Sequence, residues 1–234
     1  MKTLQKIYEG KAKILYTTEK PDLLIQHFKD DATAFNAQKK GTIQGKGVIN
    51  NAVSSVIFKF LESEGIKTHF VEKLSDREML VKKVEIVPVE VVVRNFVAGS
   101  LAKRTGRPEG EKLKETLVET YYKDDALGDP MVTKDHIRIF GWAADSEMTA
   151  IETLARKINT LLVPYFEKRG IQLVDYKLEF GRHGDGILLA DEITPDGCRL
   201  WDIKTKEKMD KDRFRFDLGK VEENYQEIHR RICG

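Results

Sequence analysis

The segment "VDYKLEFG" carries a charged side chain at every second position: Asp175, Lys177 and Glu179. Alternate side chains share one face of a β-strand, so this spacing predicts a charged row opposite an apolar row from Tyr176 to Phe180. Two carboxylates and an ammonium on one face could hold a metal ion and an anion together. A solvated sheet face is the competing interpretation.

The residues that follow predict a hairpin that returns another carboxylate to this strand. A three-residue loop with a left-handed Gly is a common hairpin connection, and residues 184–186 fit it. This register pairs His183 with Ile187 and places Glu179 opposite Asp191, with Cβ atoms about 5 Å apart. Facing carboxylates repel unless a cation lies between them, and Mg²⁺ takes one or two carboxylates with phosphate oxygens. This segment alone therefore leaves two equal interpretations, a magnesium pair and an ordinary hairpin with a solvated sheet face.

Two further groups of residues could bind phosphate. Lys11 and Lys13 follow Gly10 in "GKAK", where glycine lets a backbone approach a ligand. The pattern lacks the GxxxxGK[ST] spacing of a Walker A loop. Surface lysines at a turn would give the same pattern.

The second group contains Arg94, Ser100 and Arg199. Two guanidinium groups and a hydroxyl suit a phosphate, because the guanidinium fork matches its oxygens. The alternative is a structural pair between each arginine and a carboxylate, for which Glu90 and Asp202 are candidates. Neither interpretation is excluded by spacing alone.

Composition excludes several classes of protein. The 234 residues are 41% hydrophobic and 33% charged, and the net charge is +2. This balance predicts no general affinity for nucleic acid, and no apolar stretch is long enough to span a membrane. Two cysteines provide neither a disulfide framework nor a metal-ligand spacing. No signal peptide is evident, so a reducing, cytoplasmic setting is expected.

The periodicity predicts an α+β fold in two subdomains, residues 1–85 and 86–234, joined near 82–88. The first is mainly antiparallel strand with one helix, and the second is a sheet with flanking helices. Small-molecule sites often lie in the cleft between such units.

Local signals refine three elements of the second subdomain. Asp145 is expected to N-cap a long helix that ends at Gly170. The stretch 99–119 is expected to be irregular, with short helices. A final helix is expected over about 218–232.

Long motifs occur in a specific order along the whole chain: "GKAK", "GKGVINN", "MLVKK", "VPVEVVVRN", "AGSL", "DPMV", "FGW", "LVDYKLEFG", "DEITPDGCRLWD" and "MDKDRFR". The chain thereby resembles the SAICAR synthetases, in their compact bacterial form. No large insertion or additional domain interrupts the resemblance.

This resemblance implies an ATP-dependent ligase of purine biosynthesis. It would join L-aspartate to the carboxylate of carboxyaminoimidazole ribotide (CAIR) through an acyl phosphate, giving SAICAR, ADP and phosphate. It implies an ATP cleft related to those of kinases and ATP-grasp enzymes, a Mg²⁺ requirement and a homodimer. Glu179-Phe180-Gly181 stands where a kinase has Asp-Phe-Gly.

The resemblance also assigns roles to matching residues. Lys177 and Asp175 would be catalytic and lie between nucleotide and CAIR. Mg²⁺ would be held by Glu179 and Asp191. The substrate residues would be Glu90, Arg94, Ser100 and Arg199 for CAIR, and Lys211 and Arg215 for aspartate. The ATP residues would be Gly10, Lys11, Ala12, Lys13 and Lys123, with Lys82, Val84 and Ile86 in the stretch that holds adenine.

Two other functions are compatible with parts of this pattern. A different ATP-dependent ligase would keep the nucleotide residues and change those around Arg94 and Arg199. A nucleic-acid-binding module would need a basic face, which the dispersed charge does not favour.

Overall fold

The fold was analysed in a computed structural model that describes residues 3–34, 38–184 and 186–234. Two large antiparallel sheets, one two-stranded sheet and six helices make up these parts of the chain, which confirms the predicted α+β class. None of the helices in the described residues is both long and apolar enough to cross a membrane.

The first sheet is built from the N-terminal third of the chain and has five strands. In spatial order they are β1 (Lys6–Glu9), β2 (Lys13–Thr17), β3 (Leu23–Phe28), β7 (Glu78–Lys82) and β6 (Phe70–Lys73). A separate ladder joins β4 (Asp31–Ala34) to β5 (Lys39–Thr42). Strands β1 and β2 pair antiparallel and form a hairpin around Gly10.

The second sheet is centred on one long strand, β12 (Ile171–His183). Its main order is β11 (Met131–Val132), β10 (Lys112–Tyr122), β9 (Val89–Phe96), β12 and β13 (Gly186–Ala190). Two further strands pair with β12, namely β8 (Glu85–Ile86) and β14 (Cys198–Asp202). Alternate side chains of β9 face the core, because Val89, Val91 and Val93 are buried there.

Six helices cover the sheets. They are α1 (Lys46–Ser63), α2 (Gly99–Thr105), α3 (Lys134–Ile139), α4 (Asp145–Glu167), α5 (Asp212–Arg215) and α6 (Val221–Cys233). The C-terminal α6 packs against α1, and its Tyr225 and Ile228 are fully buried in the shared core. The first and last helices of the chain therefore lie together. The division into two subdomains at residue 85 stays a prediction.

The hairpin register differs from the prediction by one residue. His183 lies opposite Gly186 rather than Ile187, and Glu179 lies opposite Ala190 rather than Asp191. The closing pair leaves two intervening residues instead of three, and one of them, Asp185, is outside the described residues. A one-residue shift moves a side chain to the other face of a strand. Asp191 lies one residue beyond the end of β13, so its side chain is not positioned by pairing with β12.

Two other local expectations were wrong. The stretch 99–119 contains the expected short helix, α2, but also most of the long strand β10, where irregular chain was expected. Asp145 is the first residue of α4 and not its cap, since Ala144 precedes the helix and its N–H donates to Glu147. The polar composition of β10 concealed a strand that is half-buried along much of its length. The final helix begins at Val221, slightly later than expected.

Candidate active site

A cavity of about 350 Å³ collects most of the residues predicted to bind ATP, metal and aspartate. It is lined by the β1–β2 turn, by side chains of β9 and β12, and by the segment after β13. The predicted residues that line it are Gly10, Lys11, Ala12, Lys13, Glu90, Lys123, Lys177, Glu179, Asp191, Lys211 and Arg215. The cavity is therefore rich in charge of both signs.

The β1–β2 turn brings two lysines to the cavity. Gly10 N–H donates to the Lys13 carbonyl at 2.9 Å, which closes the turn. Lys13 Nζ contacts Asp191 and lies 3.8 Å from Glu192 Oε2. Lys11 is more exposed and pairs with Asp125 at 2.6 Å. The two lysines are thus placed at different depths, Lys13 within the cavity and Lys11 at its rim.

Lys177 lies at the centre of the charged row. Its Nζ donates to Glu90 Oε1 and to Glu179 Oε1, each at 2.8 Å. Burial alone would lower the pKa of Lys177, but the charges of Glu179 and Glu90 outweigh it and raise the pKa well above its usual value. Lys177 is therefore a fixed cation, which can neutralise an anion and cannot serve as a base near neutral pH.

Glu179 is held ionised by three lysines. Lys123 Nζ donates to Glu179 Oε1 at 2.8 Å, alongside Lys177. Burial would raise the pKa of Glu179, but Lys177, Lys123 and Lys13 together lower it far below its ordinary value. An ionised, buried carboxylate is a suitable ligand for a hard cation.

Asp191 enters the cavity because the chain turns sharply at the end of β13. Its φ of 62° is left-handed, an uncommon conformation for a residue other than Gly. Gln26 Nε2 donates to the Asp191 carbonyl at 3.4 Å and is itself buried. The neighbouring Glu192 has a buried Oε2 with no hydrogen-bond partner among the described residues.

These carboxylates fit a hard divalent cation. No group of three or more His, Cys, Asp or Glu side chains with metal-binding geometry occurs in the described part of the chain. Mg²⁺ is usually held by only one or two carboxylates, with water and phosphate oxygens completing the shell. Glu192, beside Asp191, has a buried oxygen without a hydrogen-bond partner among the described residues, and sequence reasoning did not select it.

A second charged cluster contains the residues predicted to bind the CAIR phosphate. Arg94 and Arg199 lie on β9 and β14, the two strands that pair with β12 at Asp175, and both are opposite Asp175 in register. Asp175 accepts from Arg94 Nη1 at 2.6 Å and from Arg199 Nη1 at 2.9 Å. Asp175 is buried and does not line the cavity, so its geometry suits orientation of the two arginines rather than contact with the nucleotide.

Arg94 has several other partners. It donates to Glu119 at 2.8 Å, to the Ser100 hydroxyl at 3.0 Å and to Tyr121 at 3.3 Å. The carboxylate partners of this arginine are thus Glu119 and Asp175, and not Glu90. Arg94 therefore forms the structural ion pairs that were considered as the alternative to phosphate binding. The same bonds also bring its guanidinium and the Ser100 hydroxyl together, as phosphate binding would need.

Arg199 connects the two clusters. Its Nε donates to Asp212 Oδ2 at 2.8 Å, and Arg215 Nη1 donates to Asp212 Oδ1 at 2.6 Å. Asp212, which the sequence analysis did not single out, thereby bridges Arg199 to a cation that lines the cavity. The charge run "MDKDRFR" is consequently buried in part and is not an ordinary solvated surface.

The stretch predicted to hold adenine lies outside the lining of the cavity. Lys82 donates its N–H to the His69 carbonyl at 2.6 Å and its Nζ to the Thr68 carbonyl at 3.2 Å. Ile86 pairs with Gly181 in the second sheet, and the Val84 side chain packs closely over Gly181. The stretch does join the two sheets beside Glu179, but its role in binding adenine stays a prediction.

Comparisons with known proteins were consistent with one another. The family model for SAICAR synthetase matches residues 6–232. The phosphoribosylaminoimidazole-succinocarboxamide synthase of Novosphingobium aromaticivorans is 59% identical, over 99% of this chain and 90% of its own length.

Two solved structures of SAICAR synthetases have the same fold as this chain. The crystal structure of the synthase from Ehrlichia chaffeensis is 50% identical and superimposes with a TM-score of 0.96, covering 98% of each chain. A SAICAR synthetase solved in complex with ADP is 51% identical, with a TM-score of 0.93 over 96% of each chain.

Proposed function

The chain belongs to the SAICAR synthetase family, and we propose on this premise that it joins L-aspartate to the carboxylate of CAIR while ATP is split to ADP and phosphate. The observation that carries the proposal is the convergence of Lys13, Lys123 and Lys177 with Glu179 and Asp191 in one cavity. Such a set neutralises and positions phosphates, which is most of what phosphoryl transfer requires of a protein.

ATP binds with its phosphates against the lysines. Lys13, Lys123 and Lys177 offer positive charge on three sides of the cavity, and Lys11 lies at the entrance. The Gly10–Lys13 turn brings backbone N–H groups close to the phosphates, as glycine-containing turns permit. Adenine lies along residues 82–86, the stretch that joins the two sheets beside Glu179. The solved complex of a relative with ADP supports a nucleotide site in this fold.

Glu179 and Asp191 are the residues that would hold Mg²⁺, with Glu192 within reach. When bound there, the ion would neutralise negative charge on the transferring phosphoryl group. In its absence the same carboxylates are compensated by Lys13, Lys123 and Lys177. The donor chemistry supports the assignment, since carboxylate oxygens are hard ligands and the neighbouring lysines hold the pKa of Glu179 far below its usual value.

CAIR binds beside the nucleotide with its phosphate at Arg94, Ser100 and Arg199. Arg199 and Ser100 are presented together because Asp175 and Arg94 hold them. Glu90, 2.8 Å from Lys177, faces the cavity and orients the aminoimidazole ring. Lys211 and Arg215 take the carboxylates of L-aspartate. Lys177 is the catalytic cation that neutralises the CAIR carboxylate and the γ-phosphoryl group of ATP as they approach each other.

The reaction proceeds through an acyl phosphate. A CAIR carboxylate oxygen attacks the γ-phosphorus, and the bond to the β,γ-bridging oxygen breaks to release ADP. The aspartate amine then attacks the carbonyl carbon, loses a proton and displaces phosphate. Positional isotope exchange tests the order: with CAIR present and aspartate absent, or replaced by succinate, the bridging oxygen of labelled ATP should scramble. No scrambling under either condition, together with no ADP burst in rapid quench, would contradict this route.

The decisive experiment is ADP release by the purified protein with each substrate omitted in turn. ADP and SAICAR should form in equal amounts only when ATP, CAIR, L-aspartate and Mg²⁺ are all present. If another acid in place of CAIR, or another amine in place of L-aspartate, gave turnover, the protein would be a different ligase. The assembly is expected to be a cytoplasmic homodimer, and light scattering of the purified protein measures its mass directly.

A further inference from the structure

The motif "GKGVINN" at the start of α1 has no part in the function proposed above. Its lysine, Lys46, is completely buried, and its Nζ donates to Asp196 Oδ2 at 2.7 Å. Removal of an ammonium group from water is costly even when it is paired, so a buried ion pair is weak evidence of a role in stability. The burial of Lys46 beside Asp196 therefore indicates that the Asp196 carboxylate has to be held in a fixed position.

Asp196 is fixed from two sides. Tyr225 on α6 donates its hydroxyl to Asp196 Oδ1 at 2.6 Å, while Lys46 on α1 holds Oδ2. The backbone N–H of Asp196 also donates to Thr194 Oγ1 at 3.3 Å. Both carboxylate oxygens thus have partners from helices at opposite ends of the chain. This arrangement leaves the carboxylate little freedom to rotate.

The same carboxylate faces the cavity beside Lys211. Both residues line the cavity, and Lys211 Nζ lies 3.8 Å from Asp196 Oδ2. This distance is too long for a hydrogen bond, although the charges still attract. None of the described residues accepts a hydrogen bond from Lys211 Nζ. Its N–H donors therefore stay available for a ligand while Asp196 balances its charge.

Other charges around Lys211 do not replace Asp196. Burial lowers the pKa of Lys211, and so do the nearby cations Arg215 and Lys46. Asp196 opposes this shift most strongly, with Glu192 also raising the pKa. Arg215 is already engaged with Asp212 at 2.6 Å. Asp196 is consequently the main counter-ion of Lys211 at the cavity, 3.8 Å from its Nζ.

We propose that Lys46 and Tyr225 are positioning residues for L-aspartate: they fix Asp196, which holds the Lys211 ammonium where a substrate carboxylate binds. The inference rests on the proposed function and names part of its aspartate subsite. A purely structural role, in which the three residues only tie α1 to α6, would lower stability without a selective change in the KM of one substrate.

Tyr225→Phe removes only the hydroxyl and tests the proposal. KM for L-aspartate should rise about five- to tenfold, with kcat at saturating aspartate near that of the wild type and the KM values for ATP and CAIR within about twofold. Lys46→Met should raise the KM for aspartate further. The matched control is Tyr165→Phe, because the Tyr165 hydroxyl is also buried but has no hydrogen-bond partner among the described residues and lies outside the cavity lining.

A selective rise in the KM for aspartate, absent in the control, supports the proposal. Unchanged KM values in a folded Tyr225→Phe protein, or equal rises for all three substrates, overturn it. If Lys46→Met fails to fold, Tyr225→Phe decides alone. Failure of the proposed function itself is recognised separately, because the wild-type protein would then release no ADP with all three substrates present.

Discussion

Asp175 lies directly opposite Arg94 in the β9–β12 pair and accepts a hydrogen bond from Arg94 Nη1 at 2.6 Å. Arg199 approaches the same carboxylate from β14, on the other side of β12. One buried acid in the central strand therefore orients two arginines from its neighbours. This relationship links the register of the second sheet to the proposed CAIR subsite.

Asp175→Asn should both destabilise the protein and weaken CAIR binding. The variant leaves the buried guanidinium of Arg94 and the half-buried guanidinium of Arg199 with less negative charge. Removal of one partner from a buried ion pair typically costs about 3–5 kcal/mol. The free energy of unfolding in urea measures the first effect. The KM for CAIR should rise about tenfold or more, because both arginines lose a common anchor.

A surface ion pair provides the control for this variant. Glu111→Gln breaks the exposed pair between Arg107 and Glu111 and should change neither stability nor the KM for CAIR measurably. If Asp175→Asn behaved like this control, the carboxylate would not be the anchor of the two arginines.

Gly99→Ala should displace Arg199. Gly99 has a left-handed φ of 52°, and an added Cβ would collide with the Arg199 guanidinium. The matched control is Gly106→Ala at the other end of α2, where φ is also left-handed at 67° but nothing lies within 4 Å of the added Cβ. Both variants carry the backbone cost of about 1–2 kcal/mol. Only Gly99→Ala should raise the KM for CAIR, so an equal KM in the two variants would disprove the steric effect.

Glu179→Gln and Asp191→Asn should each lower turnover at least about a hundredfold, because each removes a carboxylate from the proposed Mg²⁺ site. Glu179→Gln also releases Lys123 and Lys177 from their shared partner. A Mg²⁺ titration of ADP release measures the effect, and Asp135→Asn on the exposed face of α3 is the control. Near-normal turnover of both variants at saturating Mg²⁺ would remove the metal assignment.

The sequence predicted which residues lie near the cavity better than it predicted which side chains pair with one another. Period-two alternation in "VDYKLEFG" correctly places Lys177 and Glu179 on one face, because side-chain direction in a strand is a local property. The hairpin register was wrong by one residue because it depends on the loop. Asp191 still reaches the cavity, through a left-handed backbone conformation that no propensity would have suggested.

The partners of the arginines could not be predicted for a different reason. Arg94 and Asp175 are 81 residues apart, and they meet only because β9 pairs with β12. The sequence offered Glu90 and Asp202 as candidate partners, since both are close along the chain. The strand order that selects Glu119 and Asp175 instead is set by packing of the whole sheet, which hydrophobic periodicity does not encode. Asp196 and Glu192 were within reach of sequence reasoning, since both stand in the motif that contains Asp191.

The stability of the protein should depend on pH through His69. Burial, followed by the charges of Lys13 and Lys82, lowers the pKa of His69 from 6.5 to about 3. Between these values the unfolded chain binds a proton that the native protein does not, so the free energy of unfolding falls as the pH falls below 6.5. His69→Phe removes this group while keeping a ring against Phe58, whose centroid lies 5.4 Å away.

From pH 7 to pH 5, the wild type should therefore lose roughly 2 kcal/mol of stability relative to His69→Phe, since one pKa unit corresponds to about 1.4 kcal/mol. Above pH 7 the difference between the two proteins should be constant, because neither state protonates the imidazole there. Urea unfolding of both proteins at several pH values measures this difference directly, and all other titrating groups cancel in the comparison. Parallel pH profiles across the whole range would mean that His69 is protonated as readily in the native protein as in the unfolded chain.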